Sequence, residues 1–205
     1  MGPPMPAEYV AWQRSWLEHN PGWKHRVWGE ADLDGLPMVN RALYDAAGRE
    51  TAHLPPVDTI RWRVDVARLE ILHRHGGIYV DADAECLRPL DLLLNHAMFV
   101  AQSPNDMGAT NNVMGASPGH PFLDTLIRGL PANAAARRGQ RLVEMVGGKY
   151  LTRELATHKP PDVVVLPWWL FAAQSIRDRR RGRPAVSDPR AYVRHVYGNT
   201  LGRRR

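Results

Sequence analysis

Read for the spacing of its apolar positions, the chain alternates helical stretches with short extended runs. Tyr9, Trp12 and Trp16 recur at three- and four-residue intervals between Pro6 and His19, which predicts a short amphipathic helix. Asn20-Pro21-Gly22 is a turn, and the alternation from Trp23 to Trp28 predicts a strand. A helix is expected from Pro37 to Ala47, closed by Gly48, with a loop at Pro55-Pro56. A longer helix is expected from Asp58 to His75, with Asp58 as N-cap and Ile60, Val64, Ala67 and Ile71 as its apolar stripe. Gly76-Gly77 ends it, and Ile78-Tyr79-Val80 follows at once as a strand. Beyond it come a short helix over Pro89–Leu94, strands over Ala97–Ala101 and Asn112–Ala116, and a helix opened by Gly119-His120-Pro121 and running to Arg128. Residues 131–140 read as a connection, Leu142–His158 as helix interrupted at Gly147-Gly148, Val163–Leu166 as a buried strand and Ala191–Tyr197 as a last strand. Helices alternating with short strands predict an α/β fold with a mixed sheet.

Composition narrows the class. With 205 residues, 44% hydrophobic and 23% charged, the chain suits one globular domain over 1–205 that can bury a core without staples. Cys86 is the single cysteine, so no intrachain disulfide can form. No run approaches the ~18 apolar residues of a membrane span, and MGPPMPAEYVAW lacks the pattern of a secretory leader, so a cytoplasmic location is expected. The net charge of +6 is unevenly spread: the segment 177–205 carries ten arginines and two aspartates, which leaves −2 for the remainder. That basic segment reads as a solvated loop and end, and nucleic acid is not an expected partner.

The strand Ile78–Val80 runs straight into Asp81-Ala82-Asp83. Side chains alternate across a strand, so Tyr79, Asp81 and Asp83 share one face while Ile78, Val80 and Ala82 take the other. Two carboxylates so close repel each other, and a hard divalent cation such as Mg²⁺ or Mn²⁺ relieves the repulsion while leaving sites for phosphate oxygens. A bare D-x-D is also common in solvated turns. Asp65 and Arg68, three residues apart on the preceding helix, share a face and form either an ordinary surface ion pair or a pair of donor-binding groups.

The order D-x-x-R, helical spacer, G-G-x-Y-x-D-x-D, L-x-P-L-D carries more information than any one of its parts. Residues 61–94, RWRVDVARLEILHRHGGIYVDADAECLRPLDLLL, resemble the DXD-containing sugar-binding region of a glycosyltransferase family that includes initiating α-1,6-mannosyltransferases and capsular polysaccharide enzymes. Asp65, Arg68, Leu72, Gly76, Gly77, Tyr79, Asp81, Asp83, Leu87, Pro89, Leu90 and Asp91 fit that pattern, and Val64 stands where serine is usual. Residues 111–121, Gly147–Thr152 and His195 are similar to further family segments. The core motif region is thus 58–94. The resemblance implies a GT-A-like nucleotide-sugar-binding sandwich, a Mn²⁺ or Mg²⁺ cofactor and a UDP- or GDP-sugar donor. It further implies a glycan, lipid or protein acceptor and transfer with retention at the anomeric carbon. By position, Asp83 would ligate the metal directly, and Asp81 would meet ribose or sugar hydroxyls, with an indirect share in the metal. Asp65, Arg68 and Asn111 or Asn112 would bind the donor, and His195 would help close the metal site. The family's usual first strand, of the type I-P-K-I-I-H-x-x-W, is not found before Met1-Gly2-Pro3-Pro4, so the sheet is expected without it.

Two other readings compete. A D-x-D phosphohydrolase would use the first aspartate as nucleophile, but its motif belongs near the chain start with Thr or Val where Glu85 stands, and it leaves Asp65, Arg68 and Gly76-Gly77 without a role. A truncated, inactive sugar-nucleotide-binding module is the non-enzymatic alternative. Among the remaining candidates, His73 and His75 read as basic residues at a helix end. Trp168-Trp169 reads as core and, alternatively, as a platform for an acceptor sugar, and Cys86 has no neighbour that points to thiolate chemistry.

Overall fold

The structure, a computed structural model, describes residues 7–105, 108–173, 180–183 and 187–195. Its helices are α1 (Ala7–His19), α2 (Glu30–Asp34), α3 (Arg41–Asp45), α4 (Ala47–Glu50), α5 (Val57–His75), α6 (Pro121–Ala136), α7 (Leu142–Met145) and α8 (Gly148–His158). The strands are β1 (Gly77–Val80), β2 (Ala84–Cys86), β3 (Met98–Gln102), β4 (Ala109–Ala116), β5 (Val163–Leu166) and β6 (Val193–His195). Four strands form one sheet in the order β1-β4-β3-β5, while β2 and β6 pair separately. The large sheet is mixed: β4 runs antiparallel to β1 and β3, and β5 runs parallel to β3. β1 is an edge strand, and among the described residues none pairs with its outer side.

The sheet divides the interior in two. Met98 and Val100 of β3 and Met114 of β4 face one way, into a core with Trp62, Val66, Leu69 and Leu72 of α5 and Leu123, Leu126 and Leu130 of α6. Phe99, Ala101 and Val113 face the other way, into a smaller core with Ala84 and Cys86 of β2, Phe171 and Val193. This alternation is the period-two pattern of a sheet covered on both faces.

Several local expectations are corrected by packing. Residues 23–28 are not a strand: Trp23 donates its indole N–H to Asp91 at 2.9 Å, and the Arg26 guanidinium covers Trp28 at 3.8 Å, so side chains rather than a ladder hold the segment. The helix expected from Pro37 starts at Arg41, because the buried Glu70 carboxylate accepts the backbone N–H groups of Val39 and Asn40 at 3.2 and 2.9 Å. Nor does Gly48 close that region, since it lies within α4. On α5, Asp58 sits in the first turn and pairs with Arg61 instead of capping, and Ile60 is 66% exposed. The helix is buried all round from Asp65 to Leu72, because it lies between the sheet and α3, α4 and α6. α6 continues through Pro131 to Ala136, with Leu130 and Ala134 buried, so the expected connection starts later. β5 is half exposed rather than buried, as befits the other edge of the sheet. The interruption of Leu142–His158 at Gly147 is as expected. Of the last strand, residues 193–195 are extended; its end at 196–197, the first part of the basic loop at 177–179 and the terminal arginines lie outside the described residues.

Gly76 is the joint on which the site depends. Its φ of 64° and ψ of −160° lie in a region open in practice to glycine alone, and a Cβ there would meet Pro118 Cδ at 2.6 Å. Gly76→Ala should therefore destabilise the protein by about 2–4 kcal/mol from backbone strain plus overpacking. The urea midpoint of the purified variant measures this, and an unchanged midpoint contradicts it.

Candidate active site

The spacing of the motif has a geometric reason. From Arg68 to Gly76 the helix rises about 12 Å at ~1.5 Å per residue. From Gly77 to Asp81 the strand returns about 13 Å at ~3.3 Å per residue. Gly76 reverses the chain between them, so Asp81 arrives beside the D-x-x-R turn of α5. Asp81 continues the sheet by one hydrogen bond, from its N–H to Asn112 O at 3.0 Å, and then the chain turns.

Arg68 joins the two halves. Its guanidinium lies 3.0 Å from Asp65 and 3.3 Å from Asp81, and it donates to the backbone carbonyl of Asn111. The Tyr79 ring lies beneath it at 4.7 Å, and the Tyr79 hydroxyl donates to Asp81 at 2.9 Å. Asn111 donates its side-chain amide to Asp65 at 2.8 Å. Both Asp65 and Arg68 are buried, so the surface ion pair that the i,i+3 spacing alone allowed is instead an interior network.

β6 closes the other side. Its pairing with β2 sets His195 opposite Ala84, the residue after Asp83. His195 Nε2 lies 3.2 Å from Asp83 and 3.5 Å from Asp81. Asp81, Asp83 and His195 each offer a ligand atom within 4.8 Å of the others, a group of two carboxylate oxygens and one imidazole nitrogen that suits a divalent cation such as Mn²⁺ or Mg²⁺.

The electrostatics follow from burial and neighbours. Burial pushes Asp65 up, and Arg68 with the Asn111 hydrogen bond only partly offsets this, leaving it at about 6. For Asp81 burial also acts upward, but Arg68 and His195 outweigh it and hold the carboxyl below its usual value. Burial lowers His195, yet the hydrogen bonds and charges of Asp81 and Asp83 prevail and raise it to about 9, so it is protonated at neutral pH. That proton supplies, in part, the positive charge that the acidic pair requires.

The structure thus brings together Asp65, Arg68, Asp81, Asp83, Asn111 and His195. Asn112 contributes its backbone carbonyl, while its buried side-chain oxygen has no hydrogen-bond partner among the described residues. His75 packs on Trp28 at 5.4 Å, and His73 and His75 belong to no metal-ligating group among the described residues. Cys86 is buried, and burial raises its thiol. Gly147, which the sequence marks as a helix interruption and the start of a family-like segment, borders the site: a Cβ there would crowd Val143 Cα at 2.9 Å and Asp65 Oδ2 at 3.3 Å. The sequence marks α1 only as a short amphipathic helix and does not place it at the site. No residue of α1 is buried, and Trp16 donates to Ala84 O at 2.9 Å, which lays the helix beside the acidic pair.

Comparison with known proteins agrees with this geometry. Residues 6–100 match the family described as a glycosyltransferase sugar-binding region containing the DXD motif. The chain is 32% identical over 130 residues to inositol phosphoceramide mannosyltransferase 3 of Schizosaccharomyces pombe, covering 62% of this chain and 34% of that protein. It is 27% identical over 104 residues to the initiation-specific alpha-1,6-mannosyltransferase of Candida albicans, covering 50% of this chain and 26% of that protein. The chain therefore spans about a third or less of the length of these relatives. The solved structure of the PaToxG glycosyltransferase superposes with a TM-score of 0.54 at 13% identity, over 75% of this chain and 65% of that one, and this likeness of fold makes the architecture GT-A-like. On the sequence match and the disposition of its acidic motif, residues 6–100 of the chain are similar to the glycosyltransferase sugar-binding regions that contain the DXD motif.

Proposed function

We propose that the protein is a metal-dependent glycosyltransferase that moves a sugar, mannose in the first instance, from a nucleoside diphosphate donor to a glycolipid acceptor of the inositol phosphoceramide class. The observation that carries this reading is the convergence of Asp81, Asp83 and His195 within 4.8 Å, beside the buried Asp65–Arg68 pair. The named activities of the relatives support the mannosyl donor and the lipid acceptor. A D-x-D phosphohydrolase would leave the Asp65–Arg68–Asn111 network idle.

Asp83, Asp81 and His195 would hold the cation, which when bound offsets the negative charge gathering on a departing diphosphate. Asp65 and Asn111 present fixed acceptors and donors to the hydroxyls of the transferred sugar. Arg68, held by two carboxylates, keeps a permanent positive charge next to them. The energy of such a site comes from position, since these groups are already oriented before the donor arrives. Transfer with retention is part of the proposal. Every carboxylate described in this cluster is engaged by Arg68, Asn111 or His195, so none stands free as a base for an acceptor on the opposite face of the sugar.

Asp83→Asn should abolish Mn²⁺-dependent binding of GDP-mannose and lower its slow hydrolysis at least about a hundredfold, with the circular dichroism spectrum unchanged. Titration calorimetry and product release measure both, and full binding by the variant contradicts the reading.

A second expectation concerns pH in protein held metal-free by chelator. His195 is raised from 6.5 to about 9, so its contribution to stability is fully present below pH 6.5 and is lost as pH rises through 9. Facing it among the described residues are Asp81 and Asp83, with Arg68 behind Asp81. Asp65, raised to about 6, has already lost its contribution below this window. The urea midpoint should fall between pH 7 and 9.5, and His195→Gln should flatten that fall. An equal slope in the variant rules the linkage out.

A further inference from the structure

Asn111 reaches the site through an irregularity in β4. In a regular strand it would share the face of Val113, which belongs to the smaller core on the side of the sheet away from α5. Its amide instead donates to Asp65 of α5 at 2.8 Å, on the side that Met114 also faces. The register explains the change. Val100 of β3 stands opposite Met114, yet the next residue, Ala101, stands opposite Thr110. Asn111, Asn112 and Val113 therefore bulge out of the β3 ladder. A bulge re-aims side chains, and it gives up the ladder hydrogen bonds that would otherwise fix them.

Other elements hold the bulge in place of β3. On its far side β1 does so: Val80 pairs with Val113, and the Asp81 N–H donates to Asn112 O at 3.0 Å. On its near side the holder is α8. The Ala109 N–H donates to Thr152 Oγ1 at 3.0 Å, and that hydroxyl donates in turn to Gly148 O at 2.8 Å, with Ala109 O as its more distant alternative at 3.3 Å. The start of α8 comes as close as glycine allows. A Cβ on Gly148 would meet Ala109 O at 3.0 Å and Thr110 Cα at 3.4 Å, and one on Gly147 would meet Asp65 Oδ2 at 3.3 Å. One turn of helix thus borders both Asp65 and the residues that lead into Asn111. Resting on the reading above, in which Asn111 and Asp65 meet the transferred sugar, we infer that Thr152 is a positioning residue for the donor sugar. It pins the near end of the β4 bulge, so that Asn111 stays aimed at Asp65 and the two grip the sugar as a unit. Thr152 acts only through Asn111.

Thr152→Val keeps the shape of the side chain and removes its hydrogen bonds, which leaves the buried Ala109 N–H without its partner. In the full chain with saturating Mn²⁺, slow hydrolysis of GDP-mannose should fall about ten- to a hundredfold, while affinity for GDP, which carries no sugar for Asn111 to hold, stays within about twofold. Thr152→Ser should recover most of the rate. A merely structural role would not give the next result: on an Asn111→Ala background, Thr152→Val should lower hydrolysis by less than about twofold further, because the residue it positions is gone. Gly148→Ala intrudes on the same contact from the side of α8 and should give the same selective loss, and it decides the matter where Thr152→Val does not fold. Full hydrolysis in both variants, a matching loss of GDP affinity, or an undiminished loss on the Asn111→Ala background overturns the assignment and leaves the parent reading standing. The parent reading fails by a different sign: wild-type protein that neither binds nor hydrolyses GDP-mannose with Mn²⁺, or that binds it no better than Asp83→Asn does, removes both proposals together.

Discussion

The burial of Arg68 between Asp65 and Asp81 is the constraint on which the rest of the arrangement depends. A guanidinium taken out of water is tolerated only where carboxylates and carbonyls replace its hydration, and here two carboxylates and the Asn111 carbonyl do so. Removing one partner of such an arrangement typically costs about 3–5 kcal/mol, because the charge left behind is stranded. The pair therefore fixes where β1 must end relative to α5. That in turn fixes the Gly76 reversal, the length of β1 and the position of the acidic residues beyond it. The helix–strand unit is a charge-matched clamp, and the sheet grows from it through β4 and β3.

Charge balance then organises the space around the clamp. Three carboxylates face Arg68 and a protonated His195, which leaves the cluster slightly short of positive charge. A proton and a divalent cation are alternative answers to the same deficit, and the imidazole can carry only one of them. The acidic motif is, in these terms, a demand for positive charge placed at the end of a strand, and the GT-A-like fold supplies the strand end.

Much of this was legible in the sequence because it is local. The D-x-x-R to D-x-D spacing, the glycine pair and the strand between them lie within twenty residues, and helix rise and strand rise convert that spacing into a meeting point. What failed was decided by distant partners. Residues 23–28 alternate like a strand but find no ladder, since Asp91 and Arg26 engage their tryptophans instead. The helix expected from Pro37 loses its first turn to Glu70, thirty residues away. Ile60 looked like core and faces water. His195 came only from the family resemblance, because no local pattern says that β6 will pair with β2. The placement of α1 was hidden for the opposite reason: its aromatic stripe has a core-like spacing on a helix that buries none of its residues.

The shortness of β6 carries a consequence of its own. His195 is held by the short β2–β6 ribbon and by a bridge to Ala172, with its N–H on Phe171 O at 3.2 Å, whereas Asp81 follows an element packed against α5 and β4. Small ribbons open at far lower free energy than a central sheet. The imidazole thus sits on a smaller ribbon than the strand that leads to Asp81, and whatever ion the three groups shared would act as a rivet joining β6 to the main sheet. Occupancy would then be felt first as slower amide exchange in residues 193–195, well before any change in the resistance of the whole protein to unfolding.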